Sequence, residues 1–151
     1  MNPRSDWFSV EQIAESIFAI AEDAHWEKAR CYLFCGDDVS WLIDTGTGIG
    51  NLRKLIRSLT SSPVNVVTTH THWDHIGGHQ NFENVYVHQG DAAWLRDGIP
   101  LPLSVIRADM AKIPFEVPHD SEFVLETYAP PLVTSPLILQ HGDVLINSRF
   151  S

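Results

Sequence analysis

Hydrophobic residues in this chain come in short blocks, and their spacing alternates between helical and extended. Residues 8–24 are rich in Ala and Glu, with Ile13, Ile17 and Ile20 at helical spacing, so periodicity alone reads them as a helix. Cys31–Cys35 and Val39–Asp44 are apolar runs on either side of Gly36-Asp37-Asp38, the pattern of a β-hairpin. The second run ends in Asp44-Thr45-Gly46-Thr47-Gly48, a turn-forming stretch. Ile49, Leu52, Leu55, Ile56 and Leu59 then recur with Arg and Lys between them, which predicts an amphipathic helix over Ile49–Leu59. Ser61-Ser62-Pro63 stops it, and the β-branched run Val64–Thr69 reads as a strand.

Further along, Ile76–Phe82 suits a short helix or turn, Val85–Val87 a strand and Asp91–Arg96 a short helix. This order predicts an α/β architecture, in which ligands gather at the carboxyl ends of strands. After residue 98 the regularity fades among prolines 100, 102, 114, 118, 130, 131 and 136, with one short helix expected at Leu103–Lys112. Leu137–Leu139 and Val144–Ile146 flank Gln140-His141-Gly142-Asp143 and read as a second hairpin. With neither repeat nor linker, residues 1–151 are expected to form one domain.

Composition narrows the partners. A chain of 151 residues, 44% hydrophobic, can build its own core. A formal charge of −9 repels phosphate backbones, so a small-molecule substrate is expected rather than nucleic acid. No apolar run reaches eighteen residues and the first residues lack a signal-peptide pattern, so neither a membrane span nor export is expected. On an extended strand Cys31 and Cys35 share a face about 13 Å apart at a rise of roughly 3.3 Å per residue. That is too far for a mutual disulfide, and two free thiols suit a cytoplasmic location.

The chemistry concentrates in His70-Thr71-His72-Trp73-Asp74-His75, at the end of a predicted strand. Imidazole and carboxylate are zinc-type ligands. On an extended backbone His70 and His72 share a face, while Asp74 and His75 follow on a turn where they could address a second ion. Two metals about 3.5–4 Å apart would lower the pKa of a shared water, with Asp74 taking and returning its proton.

Thr69-His70-Thr71-His72-Trp73-Asp74-His75-Ile76-Gly77-Gly78 resembles the signature of the metallo-β-lactamase superfamily, and Leu42-Ile43-Asp44-Thr45-Gly46 resembles its first motif. The resemblance covers residues of about 10–97 and implies an αββα sandwich, of which this chain would hold the amino-terminal half to two-thirds. It implies that His70 and His72 bind one Zn2+ and that Asp74 and His75 serve a second, with iron or manganese as alternatives. Asp44 would stand behind these ligands and orient their loop. The implied reaction is attack of a metal-bound hydroxide on an ester, thioester, lactone or amide-like bond. The family also carries strands where residues 15–22 lie, which favours strand over helix there.

Of the other histidines, His79 is expected to pack around the site, and His25 and His88 to be structural or solvent-facing. His119 and His141 are weaker ligand candidates. The Trp residues 7, 26, 41, 73 and 94 are expected in the core or at its rim. The family's later ligands, a third histidine for the first zinc, a bridging aspartate and a final histidine, have no counterpart after residue 146. The expectation is therefore a shortened domain that binds zinc weakly and turns over little alone. It would need a homo-oligomer or a partner chain to cover the missing half. A non-catalytic metal-binding remnant, an interaction module of the same fold and an iron-using redox protein are the rival readings.

Overall fold

The computed structural model describes residues 7–147. Seven strands form one sheet in chain order: β1 Ser9–Ala14, β2 Ile17–Ala21, β3 Arg30–Phe34, β4 Ser40–Ile43, β5 Val64–Val67, β6 Val85–His88 and β7 Leu137–Leu139. The first four run antiparallel to their neighbours, and β4 to β7 pair in parallel. Parallel pairing needs crossovers, and these carry α1 (Leu52–Leu59), α2 (Trp73–Ile76), α3 (Ala92–Asp97) and α4 (Leu103–Met110).

The helices cover one face only. Register places Leu33, Leu42, Val66 and Val85 in one row across β3 to β6. All four are buried in a core shared with Leu52, Leu55 and Ile56 of α1, Trp73 and Ile76 of α2, Leu95 of α3, and Ile106 and Met110 of α4. The next row, Ala19–Tyr32–Ile43–Val67–Tyr86–Leu137, lies on the other face. It is apolar yet half-buried to exposed, with Tyr32 at 37% and Leu137 at 40%. One sheet and one helical layer are therefore present, half of a four-layer sandwich.

Two expectations need correction. Residues 8–24 are not a helix: they form the β1–β2 hairpin, because Ile17 and Ile20 pair across to Phe34 and Cys31 of β3. Ile13, which completed the helical spacing, sits at the irregularity between Gln12 and Ala14 and is 52% exposed. Nor do Leu137–Leu139 and Val144–Ile146 form a hairpin. β7 instead joins the sheet beside β6, and Val144–Ile146 has no strand pairing among the described residues. The Ile146 carbonyl accepts the Trp41 indole N–H at 2.9 Å.

The remaining elements follow their sequence signals with small shifts. Helix α1 begins at Leu52 rather than Ile49 because Asn51 caps it, its side chain accepting from the Lys54 N–H at 3.1 Å. Cys31 is buried, and the half-buried Cys35 places its Sγ 3.9 Å from the Leu59 carbonyl. Among the described residues no helix is long and apolar enough to cross a membrane.

The parallel order brings the turns after β4 and β5 side by side, where their backbones touch. Gly77 N–H donates to the Gly46 carbonyl at 2.8 Å. A Cβ on Gly77 would lie 2.0 Å from the Thr47 carbonyl carbon, so only glycine fits there. Gly77→Ala is accordingly expected to destabilise the fold by about 1–3 kcal/mol, the usual cost of forced overpacking. Chemical denaturation measures this, and an unchanged midpoint would show that the two turns can separate freely.

Candidate metal centre

The sequence cluster starts just past β5 and runs into α2, at the carboxyl end of the parallel strands. The rings of His70 and His72 lie 4.5 Å apart between centroids, and those of His70 and His75 lie 4.1 Å apart. Asp74 Oδ2 is 3.3 Å from His75 Nε2. His70, His72, Asp74 and His75 are thus brought together. His119 and His141 are exposed, and no described contact joins either to the cluster.

Asp44 organises this corner. Its backbone is left-handed, φ 63°, and its carboxylate is buried. Oδ1 accepts the Thr69 N–H at 2.8 Å, and Oδ2 accepts the Thr69 hydroxyl at 2.6 Å and His75 Nδ1–H at 2.7 Å. The Thr69 hydroxyl has one proton, which goes to Asp44, so toward His70 it can only accept. His70 Nδ1, 3.0 Å away, is then the donor, which leaves its Nε2 with a free lone pair.

The charges follow from these contacts. For His75, burial pulls the pKa down, but hydrogen bonds and charge from Asp44 and Asp74 outweigh it and push it up to about 10. Burial raises Asp74, and the His75 hydrogen bond and charge reverse that, leaving it below the usual carboxylate range. His70 is lowered by burial and then by the neighbouring His75 and His72.

Buried polar groups outside the two motifs support the turns from below. Glu22 accepts the Trp7 indole N–H at 2.7 Å, the Thr47 N–H at 2.9 Å and the Thr47 hydroxyl at 2.6 Å. Burial raises its pKa, and those three bonds oppose the rise. His79 lies 1% exposed between the Thr45 hydroxyl at Nδ1 (2.7 Å) and the Thr68 hydroxyl at Nε2 (2.8 Å), the packing role expected for it. His25 is also buried rather than solvent-facing, and its Nε2–H donates to the Met110 carbonyl at 2.8 Å. Only long-range contacts reveal Glu22 and His25: their partners lie 25 and 85 residues away.

The donor set fits zinc in kind: three imidazoles and a carboxylate, with His75 held through Nδ1 by a carboxylate as metal-bound histidines usually are. Its placement is only partly that of a metal site. Among the described residues no group of three or more His, Cys, Asp or Glu side chains is disposed to hold one ion. His75 Nε2 and Asp74 face each other instead, and a proton links the two donors assigned to one ion.

Comparison with known proteins gives the family and the fold. Residues 26–144 match the metallo-beta-lactamase superfamily. The chicken acyl-coenzyme A thioesterase MBLAC2 is 33% identical over 104 residues, which is 62% of this chain and 38% of that protein. Its human counterpart is 26% identical over 156 aligned positions, covering 93% of this chain and 54% of the relative. MEM-A1, a subclass B3 metallo-beta-lactamase isolated from a soil metagenome library, superposes with a TM-score of 0.58 at 17% identity, covering 93% of this chain and 49% of that one. The chain therefore spans about half the length of such relatives, and the solved structure shares its fold.

Burial holds the pKa of His79 down to about 4, against an ordinary value of 6.5. Below pH 6.5 the unfolded chain takes up a proton that the folded one refuses until about pH 4, so stability falls across that window as pH is lowered. His79→Gln, which does not titrate, is expected to flatten this part of the pH–stability profile of metal-free protein. Profiles of equal slope would show that His79 is not held neutral.

Proposed function

Because the chain belongs to the metallo-β-lactamase superfamily, we propose that it serves metal-dependent hydrolysis of an ester-like bond. A thioester is the first substrate class to test, ahead of esters, lactones and amides. The observation that carries the reading is the packing of the His70 ring against those of His72 and His75, 4.5 and 4.1 Å away between centroids, with Asp74 beside His75. The choice of thioester rests on the chicken and human relatives, both named acyl-coenzyme A thioesterases.

In this reading His70 and His72 hold one zinc, and Asp74 and His75 contribute to a second in the complete site. Bound zinc supplies a Lewis acid and activates water. The chain's own residues do the rest. Asp44 keeps His75 Nδ1 protonated, so that Nε2 is the atom left for a metal. His70 presents Nε2 for the same reason, through Thr69. Asp74 carries the proton traffic of the reaction at the oxygen that now faces His75 Nε2. The substrate is a small molecule, neither nucleic acid nor membrane. The half-exposed row from Ala19 to Leu137 is the surface that the rest of a sandwich, a second copy or a partner chain would cover. The buried thiol of Cys31 suits a cytoplasmic setting.

A second reading, a metal-binding remnant without turnover, is favoured by the absence among the described residues of three converging donors. A single assay separates the two. Zinc-loaded protein is expected to release thiol from a short acyl-coenzyme A slowly, with loss of the signal on chelation and in the His70→Ala/His72→Ala double variant. Turnover that survives both treatments would contradict a metal-dependent reaction. Chelator-sensitive zinc binding with no thiol release would favour the remnant.

A further inference from the structure

The strand that leads into the histidine cluster, β5, lies between β4 and β6, and a carboxylate from beyond each neighbour reaches the loop that follows it. Past β4, Asp44 Oδ1 accepts the Thr69 N–H at 2.8 Å. Past β6, Asp91 Oδ2 accepts the Thr71 N–H at 3.2 Å. The backbone of Asp91 is itself held. Its N–H donates to the His88 carbonyl at 3.0 Å, and its carbonyl accepts the Leu95 N–H at 3.2 Å as α3 begins.

Two features set the Asp91–Thr71 contact apart from a casual one. Asp91 is the N-cap residue of α3, where an aspartate ordinarily accepts an N–H of the first helical turn. Its side chain makes no such bond and turns to Thr71 instead. Thr71, for its part, is 1% exposed, so its N–H is shut off from water and needs an acceptor inside the protein. The Thr71 hydroxyl is buried with no hydrogen-bond partner among the described residues, so polar contacts of the side chain do not hold the residue. The backbone bond to Asp91 does.

We propose that Asp91 is a positioning residue of the histidine site, fixing through the Thr71 N–H the short backbone that joins His70 to His72. The proposal rests on the reading of His70 and His72 as ligands of one metal and adds to it a residue from outside both motifs. Thr71 is the single residue between them, so its backbone sets how the two rings, 4.5 Å apart between centroids, are aimed. The His70 ring is also tied to the Thr69 hydroxyl, whereas the His72 side chain caps nothing at the start of α2. Placement of His72 therefore falls to the backbone that Asp91 holds. Residues that support ligands from behind are commonly worth about 10–100-fold in metal affinity.

The test uses the full chain with Asp91→Ala, Asp91→Asn and Asp91→Ser. Each substitution removes the charge, and Asn and Ser are both good N-cap residues. Only Asn keeps an acceptor oxygen at the reach of Thr71, since the Ser hydroxyl is one bond shorter. Zinc titration by calorimetry is expected to show affinity about tenfold or more weaker in Asp91→Ala and Asp91→Ser, with Asp91→Asn close to the parent. In metal-free protein, the Thr71 amide proton is expected to exchange faster and the 15N shifts of the His70 and His72 rings to move in Asp91→Ala and Asp91→Ser. Both readouts return in Asp91→Asn, while the His79 ring shifts stay fixed throughout. A parent-like Asp91→Ser would reduce Asp91 to a helix cap, and an Asp91→Asn variant that behaves like Asp91→Ala would reduce it to a charge; either result overturns the proposal. If the parent chain takes up no zinc, the metal-centre reading fails by itself, and Thr71 exchange with the His70 and His72 shifts still decides the role of Asp91.

Discussion

The carboxylate of Asp44 is the constraint on which the rest of the corner depends. A buried carboxylate is tolerated only if its lone pairs are satisfied, and here three donors from two segments, Thr69 and His75, converge on it. To receive them Asp44 adopts the left-handed backbone at the end of β4, which swings the following turn toward α2. The turn can approach only because Gly46, Gly48 and Gly77 present no side chains to the facing backbone or to Glu22. One charge–hydrogen-bond set therefore fixes the ends of β4 and β5, the start of α2, the orientation of the His75 ring and the tautomer of His70.

Around that set the protein places buried polar groups of two kinds. Glu22 and His79 hold the Thr45–Thr47 turn and do not face solvent, so their hydrogen bonds act on backbone placement. His25 acts from the β2–β3 loop, where its ring ties the Glu27 backbone N–H to the Met110 carbonyl at the end of α4. Such groups are costly when unpaired and specific when paired, which suits a corner whose residues must keep one geometry. His75 Nε2 and the Asp74 carboxylate, 3.3 Å apart, pair with each other across a proton.

Much of this was legible in the sequence wherever the signal is local. The β3–β4 hairpin, α1, β5, β6 and α3 follow from spacing and turn residues, and the four clustered side chains lie within six consecutive positions. Periodicity failed where tertiary pairing decides. Ile13, Ile17 and Ile20 mimic a helical stripe, yet Ile13 lies at an irregularity of β1 while Ile17 and Ile20 pair with β3 from β2. Leu137–Leu139 pairs with β6, about fifty positions upstream, and no local pattern announces a partner so distant. Glu22 and His25 look like ordinary loop-flanking polar residues until the fold brings Thr47 and Met110 against them. Family resemblance corrected the β2 region because it carries information about distant pairing that spacing lacks.

The central claim is that His70 and His75, oriented by Thr69 and Asp44, form a metal centre with His72 rather than a polar turn. Zinc K-edge X-ray absorption on stoichiometrically loaded protein tests it most directly, since imidazole rings leave a distinct multiple-scattering pattern and thiolates a longer shell of about 2.3 Å. The account predicts nitrogen and oxygen ligands with imidazole scattering that weakens in a His70→Ala/His72→Ala variant. A sulfur shell from Cys31 or Cys35, or zinc whose environment ignores the histidine substitutions, would contradict it.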